Sequence, residues 1–377
     1  MPIGKRRNLL YGMALPVLGR KCEWKPRHGD ALEKILHKRR TVGACVQRFE
    51  KSVLTECRTV GFASLEGQKT PVTSETVFRT ASLAKTVTAL LVMRLQTKGL
   101  LSVEEDASDF LDFSVRNPSH PGVPITLGMM LSHTASIVDP AAFHQQLGAA
   151  TVRELLKEPD AFFPSEPGER FKYSNFAAGV IACMLEKRFG MSIEKLAQQE
   201  LFGPLGVFAT YDLTHAKGKA VADLYRVLPF EHAFDVKARL QSAMPTDEPD
   251  PEHHYVLTSG NLYISAPDLA RLALTAWNGG EGFLDEKSLR DMHTPIHGWP
   301  EPEVNIRHGM GLLQIDDVKI SPRKIWGHQG FAYGAVNGIF FDGNGSGFVC
   351  LNSGASEQRI GHLALINRDL IRLWMNE

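Results

Sequence analysis

Phe78-Arg79-Thr80-Ala81-Ser82-Leu83-Ala84-Lys85 opens a run that continues Thr86-Val87-Thr88-Ala89-Leu90-Leu91-Val92-Met93-Arg94-Leu95. It reads as a short extended entry followed by a strong helix over 83–101. Leu90, Leu91, Met93, Leu95 and Leu100 give that helix a broad apolar face, which predicts a place in the core. Ser82 and Lys85, three positions apart, lie on one face. A serine hydroxyl is a weak nucleophile unless a base stands beside it. A lysine stripped of water, or set next to another cation, can release its proton near neutral pH. The positive end of the helix dipole adds to this at Ser82. Taken alone, the tetrad fits a capping serine and a solvent-facing lysine better than a catalytic pair.

Outward from this run, the chain divides in texture. Towards the N-terminus, Asp30 precedes a helical pattern over 31–40, and Val42–Phe49 and Val53–Ser64 read as strands. From about 105 to 250 the chain reads as helical segments joined by polar or proline-rich connections, among them the acidic stretch Thr246–Glu252. After 255 the strands return, at Leu262–Ser265, with a helix over 269–277, then at 309–315, 335–341 and 347–351. Asp342-Gly343-Asn344-Gly345-Ser346 is a hairpin signal rather than a phosphate loop, because no helix begins after it. A last helix is expected over 357–375, capped by Ser356. The expected fold is therefore α/β plus all-α. An antiparallel sheet, flanked by the N- and C-terminal helices, takes strands from 29–80 and 255–377, and a mainly helical domain over 81–254 is inserted between them. A cleft where two such parts meet is a usual place for a small-molecule site.

Composition narrows the function classes. The chain has 377 residues, 43% apolar and 22% charged, which argues against wholesale disorder. Its 42 basic and 42 acidic residues cancel, so nucleic acid is not an expected partner. The balance is uneven. Residues 1–40 hold eleven Lys/Arg against three acids, read as a solvated basic segment over 1–28 leading into the first helix. Arg6-Arg7 before a short apolar run resembles a twin-arginine export signal, but Arg20-Lys21 follows at once and no A-x-A cleavage site is present. A cytoplasmic location is expected, with export as the alternative. No run of eighteen apolar residues occurs, so no transmembrane helix is expected. Five cysteines without a C-x-x-C pair argue against a disulfide framework and a cysteine zinc site. Cys45 and Cys350 read as buried thiols. His253-His254, beside the acidic stretch, reads as a solvated loop rather than a metal site.

Further phrases give the Ser82 tetrad its context: Leu131-Ser132-His133-Thr134-Ala135-Ser136, Pro167-Gly168-Glu169-Arg170-Phe171-Lys172-Tyr173-Ser174-Asn175, Ser259-Gly260-Asn261 and Trp326-Gly327-His328-Gln329-Gly330-Phe331. With these in order, the chain from about residue 40 to its end resembles the serine β-lactamase and penicillin-binding-protein superfamily. The similarity is to the branch with class C β-lactamases, D,D-peptidases, D-aminopeptidases and esterases. The resemblance implies that Ser82 is the acylated nucleophile and Lys85 the base of an S-x-x-K motif. Tyr173 and Asn175 would form the Y-x-N motif, the tyrosine passing a proton and the asparagine orienting the lysine and the substrate amide. His328-Gln329-Gly330 would line the opposite wall, and the backbone N–H groups of Ser82 and Phe331 would form the oxyanion hole.

Such a Ser–Lys arrangement is a known variant of the Ser–His–Asp triad. It implies no metal and no organic cofactor, and a small-molecule or peptide substrate. The expected reaction is hydrolysis, through an acyl-serine, of a D-amino-acid-containing peptide or a small acyl ester. A class C-type β-lactamase and a non-enzymatic acyl-binding sensor or scaffold are the alternatives. Two departures count against the β-lactamase: His328, a part-time cation near its ordinary pKa of about 6.5, replaces lysine, and Gln329 replaces the usual threonine. Ser136 stands where the family often has glycine. His133 reads as structural, and Trp326 and Phe331 either shape an acyl pocket or simply pack. Oligomeric state is not legible.

Overall fold

The computed structural model describes residues 22–242, 244–299 and 303–375. The paired arginines and most of the expected basic segment lie outside the described residues. Asp30 caps α1 (Ala31–Lys38) as its sequence suggests, accepting a hydrogen bond from the Glu33 amide at 2.8 Å. Three strands follow, β1 (Gly43–Glu50), β2 (Val53–Ser64) and β3 (Thr70–Pro71). Six more come from the far end of the chain: β4 (His297–Gly298), β5 (Ile306–His308), β6 (Leu313–Ile315), β7 (Ile325–Ala332), β8 (Ala335–Asp342) and β9 (Gly347–Asn352). Together they make one antiparallel sheet in the order β3-β2-β1-β9-β8-β7-β6-β5-β4. The two sets of strands meet where Ala44 pairs with Asn352 and Cys45 with Leu351.

The central strands are apolar on both faces because both faces are covered. Ala44, Val46, Val336, Phe340, Phe348 and Cys350 pack with α1 and with α5 (Leu365–Trp374). Cys45, Phe49, Ile339, Phe341, Val349 and Leu351, on the same strands, point the other way. There they join α2 (Leu83–Thr97), α3 (Asn175–Phe189) and α4 (Ala266–Asn278) in the larger core. From Leu83 to Leu95 every residue of α2 except Arg94 is buried, so it is a helix enclosed on all sides rather than one with a single apolar stripe. Its buried threonines are satisfied: the Thr86 hydroxyl donates to the Gly311 carbonyl at 2.7 Å, and that of Thr88 to the Ala84 carbonyl at 2.9 Å. The helix stops at Thr97, short of the expected 101, and Gly99 takes a φ of +69° just beyond.

Three other expectations need correction. Pro267 does not delay α4: the helix begins at Ala266, with the proline in its first turn and Ser265 as cap. The last helix begins at Leu365, not 357, and Ser356 does not cap it. Residues 359–364 form a small hairpin instead, because the Gln329 side chain reaches out from β7 to this segment, accepting from the Ala364 amide at 3.1 Å and donating to the His362 carbonyl. His254 is not solvated. It is buried, with Nδ1 2.6 Å from Glu186 of α3. The Glu186 carboxylate also accepts from the amides of Ile193 and Asp250, both at 2.7 Å, and so ties the acidic loop to α3. Among the described residues, no helix is long and apolar enough to cross a membrane.

Candidate active site

Ser82 enters the site through a strained turn. The extended segment Val77–Arg79 leads to Ala81, whose φ of +54° is left-handed, and Ser82 follows at the start of α2. A side chain other than glycine held in that region costs about 1 kcal/mol or more, so surrounding contacts must hold the turn in place. Part of that support is β7. A Cβ on Gly330 would stand 2.5 Å from the Thr80 carbonyl oxygen and 3.0 Å from the Ser82 nitrogen. Only a residue without a side chain lets the strand run this close to the serine.

Lys85, one turn along α2, is 4% exposed. Its Nζ lies 3.3 Å from Ser82 Oγ, 3.0 Å from Asn175 Oδ1 and 2.5 Å from the Ser259 carbonyl oxygen. Those three acceptors match the three protons of an ammonium. The Tyr173 hydroxyl reaches Ser82 Oγ from the other side, at 2.9 Å. Tyr173 and Asn175 are placed by one device. Ser174 caps α3 by accepting from the Ala177 amide at 2.9 Å, which leaves Tyr173 extended just outside the helix and Asn175 in its first position.

Asp139 locks this arrangement. Its carboxylate accepts from the Ser174 hydroxyl at 2.8 Å, the Phe176 amide at 2.8 Å and Asn175 Nδ2 at 2.9 Å. With Nδ2 so engaged, Oδ1 of Asn175 must face the lysine.

Ser82, Tyr173, Asn175, His328 and Phe331 line one pocket of about 270 Å³. Lys85 bonds to two of them, and Gly330 backs Ser82. The structure thus brings together all seven residues singled out in the sequence. Trp326 is not among them; it packs away from the pocket, its indole N–H donating to the His293 carbonyl at 3.2 Å.

The electrostatics depart from expectation at His328. Burial, with the Lys85 charge acting in the same direction, pushes its pKa down to about 4, so it is neutral at pH 7 rather than a part-time cation. Its Nδ1 lies 2.8 Å from the Gln329 carbonyl oxygen, which requires the proton on that nitrogen. Burial holds His308 at about 3, with His328 and His362 adding to the effect, and holds His133 well below its ordinary value. His133 packs behind Tyr173, ring centroids 4.3 Å apart, and its Nδ1 accepts from the Ser174 amide at 3.3 Å. Ser136 takes the left-handed φ, +58°, that glycine would accept more readily. Gln329 also lines the pocket, and its side-chain amide is engaged by 362–367.

Asp139, His308 and Arg359 were missed in the sequence, and Ser259 was quoted in a phrase there without a role. Nothing local marks them, since each reaches the site through a contact distant in sequence. Among the described residues, Asp223, His232 and Asp235 bring potential metal-ligand atoms within 4.8 Å of one another, but they lie outside this pocket.

The chain is similar to several known proteins. The chain is 25% identical over 193 residues to penicillin-binding protein 4* of Bacillus subtilis, covering 49% of this chain and 41% of that protein. It is 24% identical over 288 residues to esterase EstB of Burkholderia gladioli, covering 67% and 70%. Among solved structures, the D-amino acid amidase of Ochrobactrum anthropi SV3 shares the fold, with a TM-score of 0.70 and 19% identity over 91% of this chain and 96% of that one. The chain spans only about two fifths of the Bacillus relative's length. A sequence model of the family described as Beta-lactamase matches residues 30–369, nearly the whole described chain, and the protein belongs to that family.

Proposed function

We propose that this protein is a serine hydrolase that works through an acyl-Ser82 intermediate on small esters or D-amino-acid amides. The observation that carries the reading is the position of Ser82 Oγ, 2.9 Å from the Tyr173 hydroxyl and 3.3 Å from Lys85 Nζ, at the wall of a pocket. Both distances are within reach of proton transfer or close to it.

In the first step Ser82 Oγ bonds to the substrate carbonyl carbon. Its proton passes to the Tyr173–Lys85 couple. The carbonyl becomes an oxyanion between the backbone N–H groups of Ser82 and Phe331, which the close run of β7 past Ser82 supports. As the oxyanion collapses, the bond to the leaving group breaks and the couple returns the proton to that group. Water then repeats the sequence on the acyl-serine and frees the acid. Donors aimed at an oxyanion contribute about 3–4 kcal/mol each. Asn175 and Asp139 keep the lysine in place throughout.

The class C-type β-lactamase reading is less well supported. The wall formed by β7 offers a substrate carboxylate neither charge, since His328 is neutral, nor a hydroxyl, since residue 329 is a glutamine. The test is mass spectrometry after exposure to a fluorophosphonate, with wild type and Ser82→Ala compared, followed by turnover of p-nitrophenyl esters, D-amino-acid amides and chromogenic β-lactams. Labelling confined to wild-type Ser82, with ester or amide turnover, is expected. Persistent labelling of the variant would remove the assignment, β-lactam turnover above all others would favour the rival, and stable acylation without turnover would favour the sensor.

A further inference from the structure

Cys45 and Cys57 lie on neighbouring strands, β1 and β2, with their sulfurs 3.6 Å apart. The register explains the meeting. Cys45 pairs with Thr59, two residues from Cys57, so both side chains leave the same face of the sheet. Gln47 then pairs with Cys57, and Phe49 with Leu54. Over this stretch β2 therefore carries one residue more than β1, a bulge that bends the strand and raises its twist beside Cys57. An S–S bond is about 2 Å long, so the sulfurs have to close by roughly 1.5 Å to form one. The edge of the sheet can supply that movement. β2 meets β3 only at Phe62 and Ser64, which leaves its outer side from Val53 to Thr59 without a strand partner among the described residues. On its other side β1 is held in the sheet by β9.

The two thiols differ in access and in chemistry. Cys45 is wholly buried in the larger core, whereas Cys57 is exposed. Only Cys57 can meet a reagent from solution, and Cys45 can react only with what Cys57 brings to it. A hydrogen bond from the Cys45 thiol lowers the pKa of Cys57, outweighing its partial burial, while the same contact and burial raise that of Cys45. The thiolate is the attacking species, so exposure and charge select the same sulfur. Cys183 and Cys350 are buried, and Cys22 directs its sulfur to the His37 carbonyl, 3.6 Å away.

We infer that Cys45 and Cys57 are a reversible disulfide site, with Cys57 as the attacking thiol, Cys45 as the resolving thiol and a small-molecule disulfide as the oxidant. This is independent of the acyl-serine reading. With glutathione disulfide, the Cys57 thiolate bonds to one sulfur of the oxidant, whose S–S bond breaks and releases one glutathione thiolate. Cys45 Sγ then bonds to Cys57 Sγ, the mixed disulfide breaks, and the second glutathione leaves with the Cys45 proton. Two protein sulfurs are oxidised and one external disulfide is reduced to two thiols. The product ties the unpaired edge of the sheet to β1.

The test equilibrates the full chain in glutathione buffers of rising oxidised-to-reduced ratio, traps free thiols by alkylation in acid, and maps peptides without reduction. In wild type a peptide joining Cys45 to Cys57 should accumulate, with the loss of two hydrogen atoms in mass, and should disappear when reduced glutathione is restored. Because the fold already holds the sulfurs together, the midpoint should lie at a ratio about tenfold or more lower than for the same chain unfolded in urea. Cys45→Ala should stop at a mixed disulfide of Cys57 with glutathione. In Cys57→Ser, a change at an exposed position, Cys45 should stay reduced. Accumulation of the mixed disulfide in folded wild type without the joined peptide would overturn the inference. So would a midpoint no lower than that of the unfolded chain, or modification of Cys45 in folded Cys57→Ser. If Cys45→Ala does not fold, wild type and Cys57→Ser decide the matter between them.

Discussion

The Asp139 carboxylate sits 2.9 Å from the amide nitrogen of Asn175, and that contact decides which end of the Asn175 side chain faces Lys85. A carboxylate only accepts, so the amide has a single orientation that satisfies both neighbours. Asp139→Asn puts an amide donor against donors and removes this restriction. The expected result is a fall in kcat of about 10- to 100-fold, equivalent to about 1.5–3 kcal/mol for a charged hydrogen bond, with KM little changed. Steady-state kinetics checks this, and a melting curve separates it from a general loss of fold, since Asp139 also holds the Phe176 amide of α3.

Gly330 tests the close approach of β7 to the nucleophile. In Gly330→Ala the new Cβ would stand 2.5 Å from the Thr80 oxygen and 3.0 Å from the Ser82 nitrogen, both backbone atoms. The strand has to move back, and the Phe331 N–H moves with it. Turnover should fall about 10²- to 10³-fold, the scale for a lost oxyanion donor. Retention of full activity would show that the strand backbone plays no part in catalysis.

Tyr173→Phe removes the hydroxyl 2.9 Å from Ser82 and leaves the ring packed against His133. Turnover should drop about 10²- to 10⁴-fold, as for the loss of a general acid–base group, and fluorophosphonate labelling should slow with it. Melting temperature should hardly move, because the packing surface remains.

His328 has a depressed pKa of about 4, so its contribution to stability is complete above the ordinary histidine value of about 6.5. That contribution is lost as pH falls from there towards about 4, because over this window the unfolded chain takes up a proton that the folded site refuses. Wild type should therefore lose stability relative to His328→Gln between those limits. The imidazole should not titrate in the activity profile between pH 6 and pH 7.5, a range set by the neutral ring. Denaturant melts at stepped pH and a kcat/KM profile check the two statements.

His254 carries the opposite sign. Its pKa is raised: burial opposes the charged form, but the Glu186 hydrogen bond and charge outweigh it. A histidine with a raised folded pKa stabilises fully below its ordinary value and loses that contribution as pH rises through the folded one. His254→Gln should cost most stability in mildly acidic solution, and the difference from wild type should shrink at alkaline pH. The acidic loop that Glu186 ties to α3 should become more susceptible to proteolysis in the variant. A cost that does not vary with pH would mean that His254 is neutral in the fold.

The sequence by itself determined what one turn of chain can carry. Ser82 and Lys85 share a helix face, Tyr173 and Asn175 straddle a serine cap, and the nearly continuous apolar runs in β8 and β9 demand cover on both faces. Each of these is a relation between near neighbours, governed by helix or strand period and by capping chemistry, so it is legible without knowing what lies opposite. Tertiary structure decided the rest. The charge of His328 depends on burial beneath distant segments. Asp139, Ser259 and Arg359 acquire their places only when loops far apart in sequence converge on Ser82. The last helix starts late because the Gln329 side chain, on a strand in the middle of the sheet, captures the backbone ahead of it. Burial and long-range hydrogen bonding are properties of the assembled core, and no local spacing encodes them.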